Sequence, residues 1–294
     1  MPSLKDVRTR IESVNSTKQI TSAMKMVAAS KLRKAQNAIQ NMRPYAAKLY
    51  EILHNLLGTL DKESSSIYSE ERTLNSVLLV AITSNRGLCG AFNSNIIKTT
   101  QRLIQTDYSE LYANGKVEIL TVGKKASDFF IKKGYNHIGK HDNLYNNLNY
   151  EDVFPLAEEL MKHFVTKKYD RIILVYNQFK NAASQVITIE QFLPISKFEN
   201  LQNTNLQIDY IIEPSTQEVV DELIPNVLKV QFYKALLDSF ASEHGARMIA
   251  MSQATDNAAE MIKTLKLQYN KARQAAITAE ILEIVGGAEA LKNG

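Results

Sequence analysis

The chain has 294 residues, 45% of them apolar, and a net charge of +4. That length holds one large or two ordinary domains, the apolar share suits a soluble globular protein, and so mild a charge does not by itself call for nucleic acid. The lone cysteine, Cys89, excludes an internal disulfide and points to a reducing or indifferent compartment, and the longest wholly apolar run, residues 77–82, falls far short of the roughly 20 residues that span a bilayer.

Met1-Pro2-Ser3 leads directly into an amphipathic pattern, so no targeting segment is expected and membrane association should run only through partners. Helical periodicity then governs residues 1–58. Steps of three and four from Leu4 give Val7, Ile11, Val14, Lys18, Thr21, Lys25, Ala28, Leu32, Ala35, Ile39, Met42, Ala46, Leu49, Leu53 and Leu56. A heptad frame sustained this long predicts a coiled-coil seam, about 80 Å long at helical rise. Lys18, Thr21 and Lys25 interrupt it, where Ile20, Met24 and Val27 are expected to carry the apolar stripe sideways. Ser3 with Asp6 has the spacing of an N-terminal cap, Gly58 sits where a C-cap belongs, and Pro44 should kink the helix or open its hydrogen bonding.

A polar linker at 61–66 precedes a change of period over 74–212. Residues 76–83, 117–122 and 171–176 read as buried strands, separated by helical stretches near 92–106, 124–133 and 151–167. This alternation predicts a Rossmann-like α/β domain with a mostly parallel sheet, to which 185–193 adds an edge strand.

A second helical segment occupies 215–292, with Ser215 and Glu218 at capping-box spacing and Pro225 expected to delay the regular helix until after itself. Its frame runs Leu237, Ala241, His244, Met248, Met251, Thr255, Ala258, Ile262, Leu265, Tyr269, Ala272, Ala276 and Ala279, an alanine-rich seam that admits a close partner helix. Both long helices join the same domain, so pairing along their length must be antiparallel. Aligning Leu57 with residue 216 puts Leu4 level with about residue 269, leaving about 20 residues of the C-terminal helix to project alone. Ile277, Ile281, Leu282, Ile284, Val285 and Leu291 lie there, an apolar surface that a partner should sheathe unless the tip folds back. Two unrelated amphipathic helices on a common core are the alternative to the coiled coil.

Ten Lys or Arg residues against Asp6 and Glu12 make residues 1–50 a basic strand, suited to acidic surfaces or to plain solvation. No zinc pattern, basic-zipper order or ribonucleoprotein motif supports nucleic acid as the partner. Thr83-Ser84-Asn85-Arg86-Gly87-Leu88-Cys89-Gly90 lies between strand and helix, where phosphate loops occur, but it lacks their Lys-Ser/Thr ending and fits a tight turn. Within it Cys89 is either a reactive thiol or a small buried residue. His137 and His141 have metal-ligand spacing, but Gly139 between them argues against a helix, and no catalytic residues, metal site or cofactor site can be assigned. A coiled-coil scaffold and a nucleotide-binding enzyme are the competing readings of these features.

Residues 20–32, with Thr21-Ser22-Ala23-Met24-Lys25-Met26-Val27 at their centre, resemble the gamma subunit of bacterial F-type ATP synthases. So do Asn85-Arg86-Gly87-Leu88-Cys89-Gly90, Arg247-Met248, Ala254-Thr255-Asp256-Asn257 and, most of all, Ile277-Thr278-Ala279-Glu280-Ile281-Leu282-Glu283-Ile284-Val285-Gly286-Gly287-Ala288-Glu289-Ala290. The resemblance implies a non-catalytic central rotor that turns inside three alpha and three beta subunits, with the epsilon subunit and the c ring at its foot. It implies a peripheral position on the cytoplasmic side of the cell inner membrane, and proton-driven rotation coupled to ATP synthesis at the beta sites. By the same resemblance Arg273 and Gln274 meet a beta catch loop, and Thr278, Glu280 and Glu283 lie near the upper bearing. Met24 and Arg86 face acidic beta loops, while Asp209, Tyr210 and Glu213 form the foot. Ile212 stands where many relatives carry an aromatic, and the regulatory cysteine pair of chloroplast-type relatives is absent.

Overall fold

Heptad spacing and a capping box start the first helix. Ser3 Oγ accepts from the Asp6 amide and an Asp6 carboxylate oxygen accepts from the Ser3 amide, each at 3.2 Å. The computed structural model describes residues 3–59, 67–145, 148–195 and 216–292. In chain order these form α1 (Leu4–Thr59), β1 (Val77–Ile82), α2 (Phe92–Thr106), α3 (Ser109–Ala113), β2 (Val117–Val122), α4 (Lys124–Lys132), β3 (His137–Lys140), α5 (Tyr150–Val165), β4 (Arg171–Phe179), β5 (Gln185–Leu193) and α6 (Thr216–Lys292). The long N- and C-terminal helices pack together, and the described residues group into two units: residues 1–27 with 248–294, and residues 28–247.

In the first unit, the outer parts of α1 and α6 run antiparallel. Thr21 bonds Thr255 at 2.8 Å and Lys25 Nζ donates to Ser252 Oγ at 3.0 Å. These pairs place Leu4 level with Ala272, about three residues further along α6 than alignment on Leu57 predicts. The seam stays in its heptad frame: Val7 and Thr21 are buried on α1, Met251, Ala258 and Leu265 on α6. The expected sideways shift occurs only at Met24, which is half-buried beside an exposed Lys25. Ile20 and Val27 are exposed and Thr21 keeps the inward position, because its hydroxyl finds Thr255.

In the second unit, a five-stranded sheet has the order β3-β2-β1-β4-β5. The first four strands pair in parallel and β5 closes the edge antiparallel to β4. β1 is buried on both faces, as its uninterrupted apolar run requires. Val77, Leu79 and Ala81 pack with Ile96, Leu103, Ile104, Ala126 and Phe130 from the helices on one face. Leu78, Val80 and Ile82 point to the opposite face. Alanine at Gly123 would place its Cβ 2.0 Å from the Thr83 carbonyl oxygen, so the turn into α4 is restricted to glycine there.

The base of α6 is buried nearly all round. Ile224, Val227, Leu228, Val230, Phe232, Leu236 and Leu237 are all within the core, and Phe232 contacts the Phe192 ring of β5. This packing explains why the helix runs unbroken through Pro225, against the expectation that it begins only afterwards. A missing backbone bond, costing about 3 kcal/mol, is outweighed where several large side chains are buried within one turn either side. α1 likewise continues through Pro44, and extends past Gly58 to Thr59. Gly245 meets the β4–β5 connection closely enough that a Cβ would lie 3.1 Å from the Ala182 carbonyl oxygen.

Candidate functional site

Beyond Ala272, every residue of α6 with an assigned exposure is exposed. Among the described residues the helix thus continues for about 20 residues without a partner, the length expected from the antiparallel alignment. At about 100° per residue, Ile277, Ile281, Leu282, Ile284 and Val285 spread over about 160° of its circumference. Gln274 and Thr278 lie inside that arc, Arg273 and Glu280 along one margin, and Glu283 further round. All five polar residues are exposed; Gln274 and Thr278 put polar groups within the apolar arc, while Arg273, Glu280 and Glu283 lie outside it. None of the five takes part in a salt bridge or side-chain hydrogen bond among the described residues.

Met24, on α1, is half-buried beside the polar pairs of the seam. Arg86 is exposed in the turn from β1 to α2. Asp209, Tyr210 and Glu213 lie outside the described residues, as do the 61–66 linker and Ser215.

The turn itself is held by its own side chains. Ser84 Oγ donates to the Arg86 carbonyl at 2.6 Å, and the Ser84 amide donates to Asn93 Oδ1 at 2.9 Å. Arg247 Nη2 reaches across from α6 to the Arg86 and Gly87 carbonyls, each at 3.2 Å. Converging carbonyls and a guanidinium suit a tight strand-to-helix turn; a phosphate cradle would instead converge amides. Cys89 is buried here, 3.2 Å from Asn93 Nδ2, and burial pushes its thiol pKa up, so it is the small buried residue of the two readings.

Arg247 was visible in the sequence only as part of a motif; its role needed the fold. Its Nη1 pairs with Glu243 one helical turn back, and both are nearly buried. His244 sits beside them, its imidazole pKa pushed down to about 3 by burial first, then by Arg247 and Lys31, so the ring is neutral. His137 lies on β3 rather than on a helix, where its Nε2 contacts Thr121 Oγ1 at 2.8 Å. Among the described residues no group of three His, Cys, Asp or Glu side chains is placed to hold a metal ion.

A family model described as ATP synthase matches residues 3–291. The ATP synthase gamma chain of Christiangramia forsetii is 57% identical over 291 residues, covering 99% of both chains. The chain belongs to the ATP synthase gamma chain family. Among solved structures, a chain from the Tetrahymena thermophila mitochondrial ATP synthase central stalk and c ring is 27% identical, with TM-score 0.57, over 80% of this chain and 99% of that one. A chain from the Euglena gracilis mitochondrial ATP synthase, in its F1 and c-ring assembly, is 24% identical with TM-score 0.68, over 98% and 94% of the two chains. That second likeness shows the fold. For this gamma-family chain, membership and fold agree: two paired terminal helices and a mostly parallel five-stranded sheet.

Proposed function

We propose that this chain is the central rotor stalk of an F-type ATP synthase, coupling proton-driven rotation of a membrane c ring to ATP synthesis at beta-subunit sites. The observation that carries the reading is the end of α6, an apolar helix surface with no covering element among the described residues, on a chain of the gamma family. Such a surface calls for a sleeve. In this reading three alpha and three beta subunits supply it, and the epsilon subunit and c ring bind at the other end. The chain is non-catalytic, and its working parts are residues 1–58, 74–212 and 215–292.

Arg273 and Gln274 meet a beta catch loop, and Thr278, Glu280 and Glu283 lie at the upper bearing. Met24 and Arg86 face acidic beta loops, and Asp209, Tyr210 and Glu213 contact the foot partners. Among the described residues no helix is long and apolar enough to cross a membrane. Attachment to the cytoplasmic face of the inner membrane is therefore assigned to those partners.

Reconstitution tests the reading. Alpha and beta subunits should co-purify with this chain, and ATP-driven proton pumping with the membrane sector should require it. Pumping that is indifferent to its presence, or tight ATP binding by the chain alone, would overturn the assignment.

A further inference from the structure

The turn that carries Arg86 is more tightly determined than its exposure suggests. Leu88 adopts a φ of 62°, a left-handed conformation rare for a branched residue, and its side chain is 66% exposed. Such a conformation persists only where the surroundings over-determine it. Three nitrogen or oxygen donors converge on the Arg86 carbonyl, Ser84 Oγ, Asn93 Nδ2 and Arg247 Nη2, with Cys89 Sγ of the turn itself at 3.8 Å. The first two belong to the turn and to the start of α2. Arg247 belongs to α6, more than 150 residues away in sequence, and it also takes the Gly87 carbonyl. Its remaining charge is matched by Glu243, which holds the guanidinium in place without reaching the turn.

We propose that Arg247 is a positioning residue that fastens the Arg86–Leu88 turn to α6, so that a partner pressing on the turn moves α6 with it. Ser84 and Asn93 shape the turn; Arg247 alone among the three joins it to the long helix. A planar guanidinium holds the two carbonyls with one nitrogen and the carboxylate with another, whereas a lysine ammonium would have to gather all three acceptors around a single nitrogen. The transmission of force to α6 rests on the rotor reading, whereas the fastening itself does not.

Cys89 supplies the test, because it is the sole cysteine and is buried inside this turn. Exchanging the pair, Glu243→Arg with Arg247→Glu, keeps the ion pair but sets a carboxylate against the turn carbonyls. In the full-length chain, Cys89 of the exchange variant should react with an aromatic disulfide reagent at least about tenfold faster than in the parent, through local opening. Arg247→Lys should give a smaller increase. If the exchange variant fails to fold, by circular dichroism, the lysine variant decides by the same measurement. A thiol rate equal to the parent's in the folded variants overturns the fastening. In the reconstituted complex, protons pumped per ATP hydrolysed should fall in the variants; an unchanged ratio beside an opened turn overturns the transmission of load. If even the parent chain fails to support pumping, the rotor reading falls while the thiol result stands.

Discussion

Thr21 of α1 and Thr255 of α6 share a 2.8 Å hydrogen bond at a seam position that heptad spacing reserves for apolar residues. Each hydroxyl also has a backbone carbonyl within reach, Met251 at 2.8 Å for Thr255 and Lys18 at 3.1 Å for Thr21, so either threonine can donate to the other. The next layer is polar as well, with Lys25 on Ser252. Above and below them the α6 seam is apolar, with Met248, Met251, Ala258 and Ile262, and apolar side chains alone distinguish poorly between one register and the next. A polar layer in such a seam fixes register at some cost in stability.

Replacing Thr21 by Val should therefore destabilise the chain by about 1 kcal/mol, the usual worth of one hydrogen bond. Thr21→Val with Thr255→Val should recover most of that loss, since two valines bury apolar surface in the same space. Thermal melts of the two single variants and the double variant supply the cycle. Strictly additive losses would show that the two hydroxyls do not interact.

Heptad steps located this seam, and they did so through the positions that looked like errors. Reading Ile20 and Val27 as the continuing stripe was reasonable on polarity alone, yet they face outward because a paired threonine can be buried as readily as an aliphatic residue. β3 escaped notice because His137, Ile138, Gly139 and Lys140 offer one apolar side chain in four positions. Its pairing is dictated by β2 beside it, not by its own pattern. The exposed run of α6 was legible because it follows from helix lengths and chain direction. Arg247 was not, since nothing local predicts that a helix residue will meet carbonyls some 160 positions away.

Asp238 makes an acid-side prediction of one sign. It is buried at a cavity of about 290 Å³ shared with Ile39, Met42, Arg43, Phe179 and Lys234. Burial raises its carboxyl from an ordinary 3.8 to about 6, against the pull of Lys234 and Arg43 and with some help from Glu190. A raised folded value means that stability present below pH 3.8 is lost as pH rises through about 6. Asp238→Asn should accordingly stabilise the chain at pH 8, by up to about 3 kcal/mol, and the gain should fade towards pH 4. Melting curves across that range check it; a gain that does not depend on pH would point to packing instead.

His244 makes the opposite prediction. Its folded value lies near 3, far below the ordinary 6.5, so its contribution is present above pH 6.5 and is lost as pH falls towards 3. Among the described residues its buried Nε2 has no hydrogen-bond partner, so a substitution that removes that nitrogen should be tolerated. In His244→Phe, the fall in melting temperature between pH 7 and pH 5 should be shallower than in the parent. Parallel slopes would mean that the ring does not stay neutral in the fold.

Deleting residues 273–294 should leave the melting temperature within about 2 °C of the parent, because every residue there with an assigned exposure is exposed. Solubility should rise as Ile277, Ile281, Leu282 and Ile284 are lost. Binding to alpha and beta subunits should weaken markedly. A large drop in melting temperature would instead mean that the end is docked on its own chain.

Arg273→Ala with Gln274→Ala separates folding from function most cleanly. Both side chains are exposed on the unpaired part of α6, and alanine is the best helix former, so secondary structure and melting should be unchanged. The two residues differ in their relation to the apolar arc, with Gln274 inside it and Arg273 at its margin. A partner that packs on the arc must desolvate the amide of Gln274, which then needs a hydrogen bond, while Arg273 can reach a carboxylate at the rim. Coupled ATP synthesis in the reconstituted complex should therefore drop, with the Gln274 substitution alone accounting for the larger share. Equal rates and equal yields of complex for parent and double variant would reject contact by either residue.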